Sequence, residues 1–324
     1  MKKNSKIYVA GHRGLVGSAI VNLLKKKGFN KIILRTREQL DLTKQIQVNN
    51  FFKKYKPEII IIAAAKVGGI YANDKFQANF IYENLMIQNN LINSSHENKV
   101  KKVIFLGSSC IYPKNSKQPI KEDYLLSGEL ESTNISYAVA KISGLVMCNS
   151  YNRQYNNRTD FRCLMPTNLY GPGDNYHGLN SHVIPALIKR FHNAKKNNKK
   201  SIKVWGNGQA KREFLFSEDL AEAVILILKL SRLKYKRFLS NNFNHINVGS
   251  GEEYTIKNLA KIISNIVGFK GKIEFDKSKP NGTMRKFLSN RIMKKIGWKP
   301  SVKLKDGIMK TYEEFKKINS LYEK

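Results

Sequence analysis

Cysteine is scarce in this chain: Cys110, Cys148 and Cys163 are its three cysteines among 324 residues. An odd, widely spaced set without a secretory leader argues against a disulfide framework and predicts reduced thiols and a cytoplasmic location. No group of Cys and His residues has the spacing of a metal site, so we expect no metal. The longest apolar run, Ile59 to Ala65, is too short to cross a bilayer, so we expect no membrane segment.

Acidic residues are also few: 24 Asp and Glu stand against 58 Lys and Arg, which gives a net charge of +34. Such a charge is typical of proteins that bind nucleic acids. The lysines are spread over the whole chain, however, and the basic run from Lys195 to Lys200 lacks the interleaved aromatic residues that stack on bases. We therefore expect solvated basic loops and no nucleic-acid partner, with a positive field that attracts anionic nucleotides.

A glycine-rich turn near the front of the chain predicts a nucleotide site. An apolar run, Ile7 to Ala10, leads into the turn, and a helical pattern follows it. Glycines in a strand-to-helix turn let the backbone approach a pyrophosphate at the helix N-terminus, although they can also serve only as turn and cap residues. The turn is Gly11-His12-Arg13-Gly14-Leu15-Val16-Gly17.

The end of the second predicted strand indicates which dinucleotide binds. Folds that select NAD usually place an acid there, on the ribose hydroxyls. This strand, residues 31–34, ends instead in Arg35, Thr36 and Arg37. Guanidinium groups, together with that of Arg13, suit a 2′-phosphate, so we predict NADP(H), although arginines at a strand end can also be merely solvated.

Short apolar strands alternate with helical stretches, which predicts a parallel sheet covered by helices on both faces. We predict the α/β class: a Rossmann-type doubly wound parallel sheet with a smaller, interleaved C-terminal substrate lobe. The dinucleotide domain would span residues 1–170 and the lobe residues 171–324, with a segment near 214–249 returning to the main sheet. Further predicted strands are 58–63, 102–106, 161–165 and 245–248; predicted helices are 79–98, 137–154, 255–267 and 304–317.

Tyr137 and Lys141 lie four residues apart in a helical pattern, so they share one face of a helix. A nearby ammonium lowers the pKa of a tyrosine, which can then exchange a proton with a sugar oxygen. With the glycine turn and Ser108 at the end of the fourth predicted strand, this pair resembles the extended short-chain dehydrogenase/reductase family. The resemblance implies that Ser108 hydrogen-bonds the reacting oxygen; a capping serine is the alternative.

Longer segments narrow the resemblance to the GDP-L-fucose synthase family over nearly the full length. The resemblance implies NADPH-dependent 3,5-epimerisation and 4-keto reduction of GDP-4-keto-6-deoxy-D-mannose. It also implies a homodimer, which we expect to form through the helices near 79–98 and 137–154. The segments that carry the resemblance are residues 63–70, 106–114, 151–155, 165–172 and 180–187.

The implied epimerisation needs a base on one face of the sugar and an acid on the other, because a 4-keto group makes the hydrogens at C3 and C5 acidic. The resemblance implies that Cys110 is the base and His182 the acid, with Ser108 and Tyr137 stabilising the enolate oxygen. Cys110 could instead be a small buried hydrophobe, as Cys148 and Cys163 are expected to be. His182 could be a helix cap, and its neighbour His177 is the rival for its role.

The resemblance also assigns binding residues. For the nucleotide sugar they are Arg190, Trp205, Arg212 and Asn281; the family usually has Asp where Asn281 stands, which weakens the expectation of guanine selectivity. Trp205 could alternatively be a core tryptophan. The predicted cofactor contacts are the glycine turn 11–17, Arg37, Leu40, Asp41, Leu42, Leu106, Gly107, Ser108, Ser109, Lys141, Pro166, Thr167, Asn168, Leu169 and His182.

Two other functions fit parts of the sequence. One is a nucleotide-sugar epimerase that retains bound NAD and makes no net reduction; Arg35 and Arg37 argue against it. The other is a non-catalytic dinucleotide-fold protein that regulates by binding nucleic acid. Against this regulator stand Ser108, Tyr137 and Lys141, all of which are present.

Overall fold

The computed structural model describes residues 1–156, 158–177, 181–239, 243–278 and 283–322. Within them the strands form three sheets. The strands are β1 Ile7–Ala10, β2 Ile32–Ile33, β3 Ile59–Ile62, β4 Lys102–Leu106, β5 Asp160–Pro166, β6 Asn168–Tyr170, β7 Ser201–Trp205, β8 Lys211–Phe216, β9 His245–Val248, β10 Glu253–Thr255, β11 Lys272–Asp276 and β12 Arg285–Lys286.

Helices lie between most of these strands, as the alternating pattern of the sequence predicts. The last helix is longer than the predicted segment 304–317, and the predicted second strand shortens to two residues. The helices are α1 Leu15–Lys26, α2 Gln45–Tyr55, α3 Ile70–Lys75, α4 Gln77–Glu97, α5 Ile135–Gln154, α6 Val183–Lys196, α7 Ser217–Lys229, α8 Arg232–Lys236, α9 Ile256–Val267, α10 Arg291–Lys295 and α11 Leu304–Tyr322.

The main sheet has six parallel strands in the order β2-β1-β3-β4-β5-β9. The chain runs from β1 outward to β2 and then crosses back to β3 on the other side of β1. This reversal is the topological switch point of a doubly wound sheet, where ligands bind beyond the carboxyl ends of the strands. The predicted Rossmann-type fold is confirmed, and the glycine turn lies at the switch point.

Both faces of the main sheet are covered, because side chains along each strand point alternately to opposite sides. In β1, Ile7 and Val9 pack into a core with α1 and α7, whereas Tyr8 and Ala10 pack into a second core with α2, α4 and α5. The same alternation runs through β3 and β4. The sheet is therefore buried on both faces, and the segments that follow its strands begin at its carboxyl edge.

A second lobe stands over that edge. Its strand β8 pairs with β6, β10 and β12, while β7 pairs with β11. Helices α6, α9 and α11 enclose a third apolar core beneath these strands. Strand β9 follows β8 in the chain and pairs with β5 in the main sheet. The exact division of the chain into two domains at residue 170 stays a prediction.

Within the described residues, none of the helices has both the length and the apolar character that a membrane span requires.

Candidate active site

The glycine turn is closed by contacts that only glycine allows. Gly11 has φ of +80°, and a Cβ on it would lie 2.7 Å from the backbone of Ala64. A Cβ on Gly17 would overlap the carbonyl oxygen of Gly11. Gly14, in contrast, is exposed and begins α1 without a side-chain cap, so no capping side chain occupies this helix N-terminus. This geometry fits a pyrophosphate at a helix N-terminus.

Of the three arginines considered for a 2′-phosphate, Arg13 lies within the glycine turn, and Arg35 and Arg37 follow β2. Arg35 donates to the carbonyl of Leu34 at 2.6 Å, and its guanidinium lies 4.3 Å from the centre of the Tyr55 ring. Arg13 and Arg37 are exposed. A hydrogen bond from Thr36, and then both of these charges, lower the pKa of Glu38. Arg13 and Arg37 are thus the two guanidiniums that fit a 2′-phosphate, while Arg35 is held by α2.

The other predicted cofactor residues lie along the same edge. Leu40 is buried, Asp41 accepts hydrogen bonds from the amide and hydroxyl of Thr43, and the carbonyl of Leu42 accepts from Asn90. Thr167 and Asn168 both donate to the carbonyl of Glu213, which ties the end of β5 to β8. The strand-end segments are Leu106, Gly107, Ser108 and Ser109 after β4, and Pro166, Thr167, Asn168 and Leu169 at the end of β5 and the start of β6.

Helix α5 places Tyr137 and Lys141 beside the end of β4. Gly144 allows this approach, because a Cβ there would lie 2.5 Å from the ring of Phe105. The Nζ of Lys141 donates to the carbonyl of Leu106 at 2.9 Å and lies 5.8 Å from the centre of the Tyr137 ring. The hydroxyl of Ser108 accepts a hydrogen bond from the amide of Cys110 at 3.2 Å, as the capping alternative expects, and it lies close enough to Tyr137 to lower the pKa of the phenol in part. The structure therefore brings Ser108, Tyr137 and Lys141 together.

Burial controls the electrostatics of this group. It raises the pKa of Tyr137 well above its usual range and lowers the pKa of Lys141 to about 8. The prediction that Lys141 lowers the pKa of Tyr137 is therefore wrong here. The physical reason is desolvation: a low-dielectric site disfavours both the phenolate and the ammonium, and burial is the largest effect on each pKa.

Cys110 lies at the mouth of this group and is partly exposed, whereas Cys148 and Cys163 are buried in the core. Its Sγ accepts from the Nδ2 of Asn134 at 3.5 Å and from the Nζ of Lys286 at 3.8 Å. The guanidinium of Arg212 lies near Cys110. Burial lowers the pKa of Arg212, and Cys110 partly offsets this effect. The sulfur atom therefore has hydrogen-bond donors from two other elements, α5 with its preceding turn and β12, next to the Ser108–Tyr137–Lys141 group.

Asn134 and Lys286 are the site residues that the sequence did not reveal. Asn134 precedes α5, and its Oδ1 is buried without a partner, so it can accept a hydrogen bond from a ligand. Lys286 is in β12, 176 positions beyond Cys110, and it reaches the sulfur because it pairs with Arg212 of β8. No spacing rule connects such residues; the one signal was the neighbouring segment 279–283, in which the sequence departs from the family.

His182 stands at the N-cap position of α6, but its ring does not cap the helix, so the cap alternative is wrong for this side chain. The ring is accessible to solvent, yet the protein around it lowers its pKa through desolvation. The contacts of the described residues do not join His182 to Cys110. The rival His177 is exposed, and its amide donates to Asn175.

The predicted substrate residues lie on the second lobe. Arg190 of α6 donates to the carbonyl of Lys203 in β7, and Trp205 follows on the same face of that strand. Trp205 is 43% exposed, so the core-tryptophan alternative is wrong. Arg212 is beside Cys110, whereas Asn281 lies outside the described residues. In the described part of the chain, no group of three or more His, Cys, Asp or Glu could hold a metal ion.

These features define a class. A dinucleotide-type glycine turn, a buried Tyr-Lys pair and a polar thiol at the carboxyl edge of a doubly wound sheet are the parts of a nucleotide-dependent oxidoreductase. Comparison with known proteins agrees, since residues 7–249 match the NAD dependent epimerase/dehydratase family. The chain belongs to that family and, within it, to the GDP-L-fucose synthases.

The relatives are similar over almost their whole length. GDP-L-fucose synthase 1 of Arabidopsis thaliana is 50% identical over 315 residues, which are 97% of this chain and 94% of the relative. GDP-L-fucose synthase of Escherichia coli K12 is 48% identical over 310 residues, 96% of each. The solved GDP-mannoheptose C4 reductase from Campylobacter jejuni with NADP bound is 43% identical, has a TM-score of 0.88 and covers 98% of this chain and 99% of its own.

Proposed function

We propose that the chain converts GDP-4-keto-6-deoxy-D-mannose to GDP-L-fucose by NADPH-dependent 3,5-epimerisation and 4-keto reduction. The observation that carries this proposal is the meeting of Ser108, Tyr137 and Cys110 at one place, where a single ketone can be reached by all three. The GDP-L-fucose synthases at about half identity support the substrate, and the NADP-bound GDP-sugar reductase supports the cofactor.

Epimerisation is assigned to Cys110 and His182. Cys110, whose Sγ accepts hydrogen bonds from Asn134 and Lys286, removes a proton beside the keto group. The hydroxyls of Ser108 and Tyr137 hydrogen-bond the enolate oxygen that forms. His182 returns a proton to the opposite face. Because its pKa is lowered in the structure, it acts as the acid only when an anionic ligand next to it raises its pKa again.

Reduction is assigned to Tyr137 with Lys141. Bound NADPH supplies a hydride to C4 of the sugar. Tyr137 then gives its proton to the oxygen at C4, and its raised pKa keeps the phenol protonated at neutral pH, as a proton donor requires. Lys141 is a positioning residue, fixed by the carbonyl of Leu106 directly beneath the Tyr137 ring.

The residues present fit NADP(H) and a nucleotide diphosphate. The amides of the glycine turn and α1 would hold the pyrophosphate of the cofactor, and Arg13 and Arg37 its 2′-phosphate. Arg190 and Arg212 would bind the diphosphate of the substrate, and Trp205 offers an exposed ring for the base or ribose.

A second candidate is a GDP-sugar C4 reductase that does not epimerise. The observation that favours it is the 43% identity with the GDP-mannoheptose C4 reductase. The placement of Cys110 beside Ser108 and Tyr137 favours the first candidate, because epimerisation needs a base next to the ketone and reduction alone does not. The two candidates differ in one measurable step, the exchange of protons at C3 and C5.

The deciding experiment is incubation with GDP-4-keto-6-deoxy-D-mannose and NADPH in D2O, followed by NMR. We expect GDP-L-fucose carrying deuterium at C3 and C5, with loss of one NADPH per product. Reduction without exchange supports the second candidate, and exchange without loss of NADPH supports an NAD-retaining epimerase. Cys110→Ser should abolish exchange, while the matched core substitution Cys148→Ser should leave the exchange-to-reduction ratio unchanged.

We also propose a cytoplasmic homodimer that pairs α4 and α5 with the same helices of a second copy. Tyr82 of α4 is 61% exposed, and Val139 and Val146 of α5 are 36% and 37% exposed. The two valines are seven residues apart and therefore lie on one stripe of the helix. Light scattering should give twice the chain mass for the native protein and a smaller mass for Tyr82→Lys; a native monomer would contradict the proposal.

A further inference from the structure

Glu83 of α4 joins two cations that follow different strands. Its Oε1 is in direct contact with the Nζ of Lys66, after β3, and its Oε2 lies 3.6 Å from the Nη1 of Arg37, after β2. The side chain of Glu83 is only 18% exposed, whereas that of Arg37 is 70% exposed. A largely enclosed carboxylate thus holds one cation tightly and one cation loosely.

The position of this cluster relates it to the cofactor. Strands β2 and β3 flank β1, and β1 leads into the glycine turn, so Arg37 and Lys66 follow the two strands next to that turn. Asn84, the next residue of α4, donates to the carbonyl of Lys66 and accepts from its amide, both at 3.0 Å. These bonds fix the backbone of Lys66 against α4 and keep Glu83 at the switch-point crevice.

We propose that Glu83 is a specificity-determining residue of the cofactor site, whose carboxylate competes with the 2′-phosphate for Arg37 and Lys66. It moderates the affinity for NADPH and NADP+ and leaves that for NADH almost unchanged. This inference rests on the proposed use of NADP(H).

The physical reason is the charge balance of the chain. At a net charge of +34, anions are attracted strongly, and a reductase must release NADP+ after every turnover. A fixed negative charge that occupies a phosphate-binding arginine opposes retention of the doubly charged phosphate. NADH lacks that phosphate and does not meet the opposition. Glu83 therefore acts on affinity through charge, not through contact with the reacting atoms.

The test is the isosteric substitution Glu83→Gln, with cofactor binding measured by fluorescence titration without any sugar. We expect the Kd values of NADPH and NADP+ to fall about three- to tenfold and that of NADH to change less than twofold. Dissociation of NADP+ in stopped flow should slow by the same factor. Glu83→Ala is the second variant and should shift the affinities in the same direction.

Two controls separate charge at this site from net charge and from structure. Glu222→Gln removes the same charge from an exposed pair with Lys27, at the other end of α1 and about 18 Å from the turn, and should change nothing. In an Arg37→Gln background, Glu83→Gln should have a smaller effect on NADPH. If Glu83→Gln binds NADPH more weakly or equally well, or tightens NADH as much as NADPH, the inference about Glu83 is wrong while the proposed cofactor stands. Failure of the native protein to bind NADPH overturns the proposed cofactor as well.

Discussion

The two sides of the active-site cleft are built in different ways. The proposed cofactor side consists of continuous backbone segments at the carboxyl edge of the main sheet, residues 11–17, 106–109 and 166–169. The substrate side consists of single side chains from distant parts of the chain, such as Asn134, Arg212 and Lys286, which converge on Cys110. One side offers a ligand backbone amides and close approach, and the other offers charged and hydrogen-bonding side chains.

This difference implies that geometry restricts the residue types on the proposed cofactor side more than on the proposed substrate side. A backbone site requires small residues at fixed spacing, so its sequence is constrained by geometry. A side-chain site requires only that the right group arrive at the right place. The pairing of Lys286 with Arg212 across β12 and β8 brings two cations to one thiol, and a different residue at either position would change the chemistry without changing the fold.

The largest effect is expected where the two sides meet. Tyr137→Phe removes the proton donor for the oxygen at C4, and we expect kcat for reduction to fall by about 10²- to 10⁴-fold with the Kd of NADPH nearly unchanged. Steady-state kinetics and a binding titration check this. Tyr151→Phe is the matched control, because Tyr151 lies on the same helix but hydrogen-bonds Asn93. Near-normal turnover of Tyr137→Phe would remove Tyr137 from the mechanism.

On the proposed cofactor side, substitutions of Gly14 and Gly17 should have two different effects, one on NADPH affinity and one on the stability of the fold. A Cβ on Gly14 meets only the Gly11 carbonyl, at 3.5 Å, and otherwise points to open space, so Gly14→Ala should fold normally but weaken NADPH about 100-fold by obstructing the pyrophosphate. Gly17→Ala should instead destabilise the fold by about 1–3 kcal/mol, because its Cβ overlaps the turn. Urea unfolding and NADPH titration separate the two. If Gly14→Ala bound NADPH as tightly as the native protein, the pyrophosphate would not lie against Gly14.

The same contrast determines what could be predicted from the sequence. The sheet, the glycine turn and the Tyr137–Lys141 pair follow from local patterns: alternating apolar strands, glycine spacing and residues four apart on a helix. The strand Lys102–Leu106 agrees with its predicted limits, because its apolar residues end at a glycine. Here local sequence and global fold contain the same information.

The remainder of the site could not be predicted, because it depends on tertiary placement. The position of Lys286 beside Cys110 follows from the strand order β10-β8-β12 and its register, neither of which leaves a local pattern. The raised pKa of Tyr137 depends on how deeply α5 packs, which the spacing of Tyr and Lys does not report. Arg35 resembles Arg37 in sequence but is held by the Tyr55 ring.

On the proposed substrate side, a substitution of Lys286 should impair proton exchange without weakening NADPH binding. Lys286→Met removes the ammonium beside the sulfur atom, and we expect exchange at C3 and C5 to slow about 30-fold while NADPH binding stays the same. Lys286→Arg should recover part of the rate because it restores the charge. Arg285→Gln is the control: it removes a neighbouring charge that pairs instead with Glu253 at 2.7 Å. If Arg285→Gln lost as much proton exchange as Lys286→Met, the effect would come from net charge and not from the contact of Lys286 with Cys110.

The smallest effect concerns Lys141, whose burial should make the catalytic centre a source of instability. Its pKa is about 8 in the folded chain and 10.5 when unfolded. Below pH 8 both states hold the proton, so the folded state carries the full penalty of a buried ammonium. Between pH 8 and 10.5 only the unfolded chain keeps the proton, and stability rises with pH.

Lys141→Met therefore should lose activity and yet unfold at higher urea concentration at pH 7. We expect a gain of about 1–2 kcal/mol after subtraction of the lost hydrogen bond to Leu106, and this gain should shrink as the pH approaches 10.5. Urea titrations of both proteins at pH 7 and pH 10 measure it. A native protein more stable than Lys141→Met at pH 7 would show that the ammonium is compensated inside the fold. The same burial that destabilises the Lys141 ammonium also raises the pKa of Tyr137. The stability difference between the two proteins therefore measures how strongly water is excluded from the Tyr137–Lys141 pair.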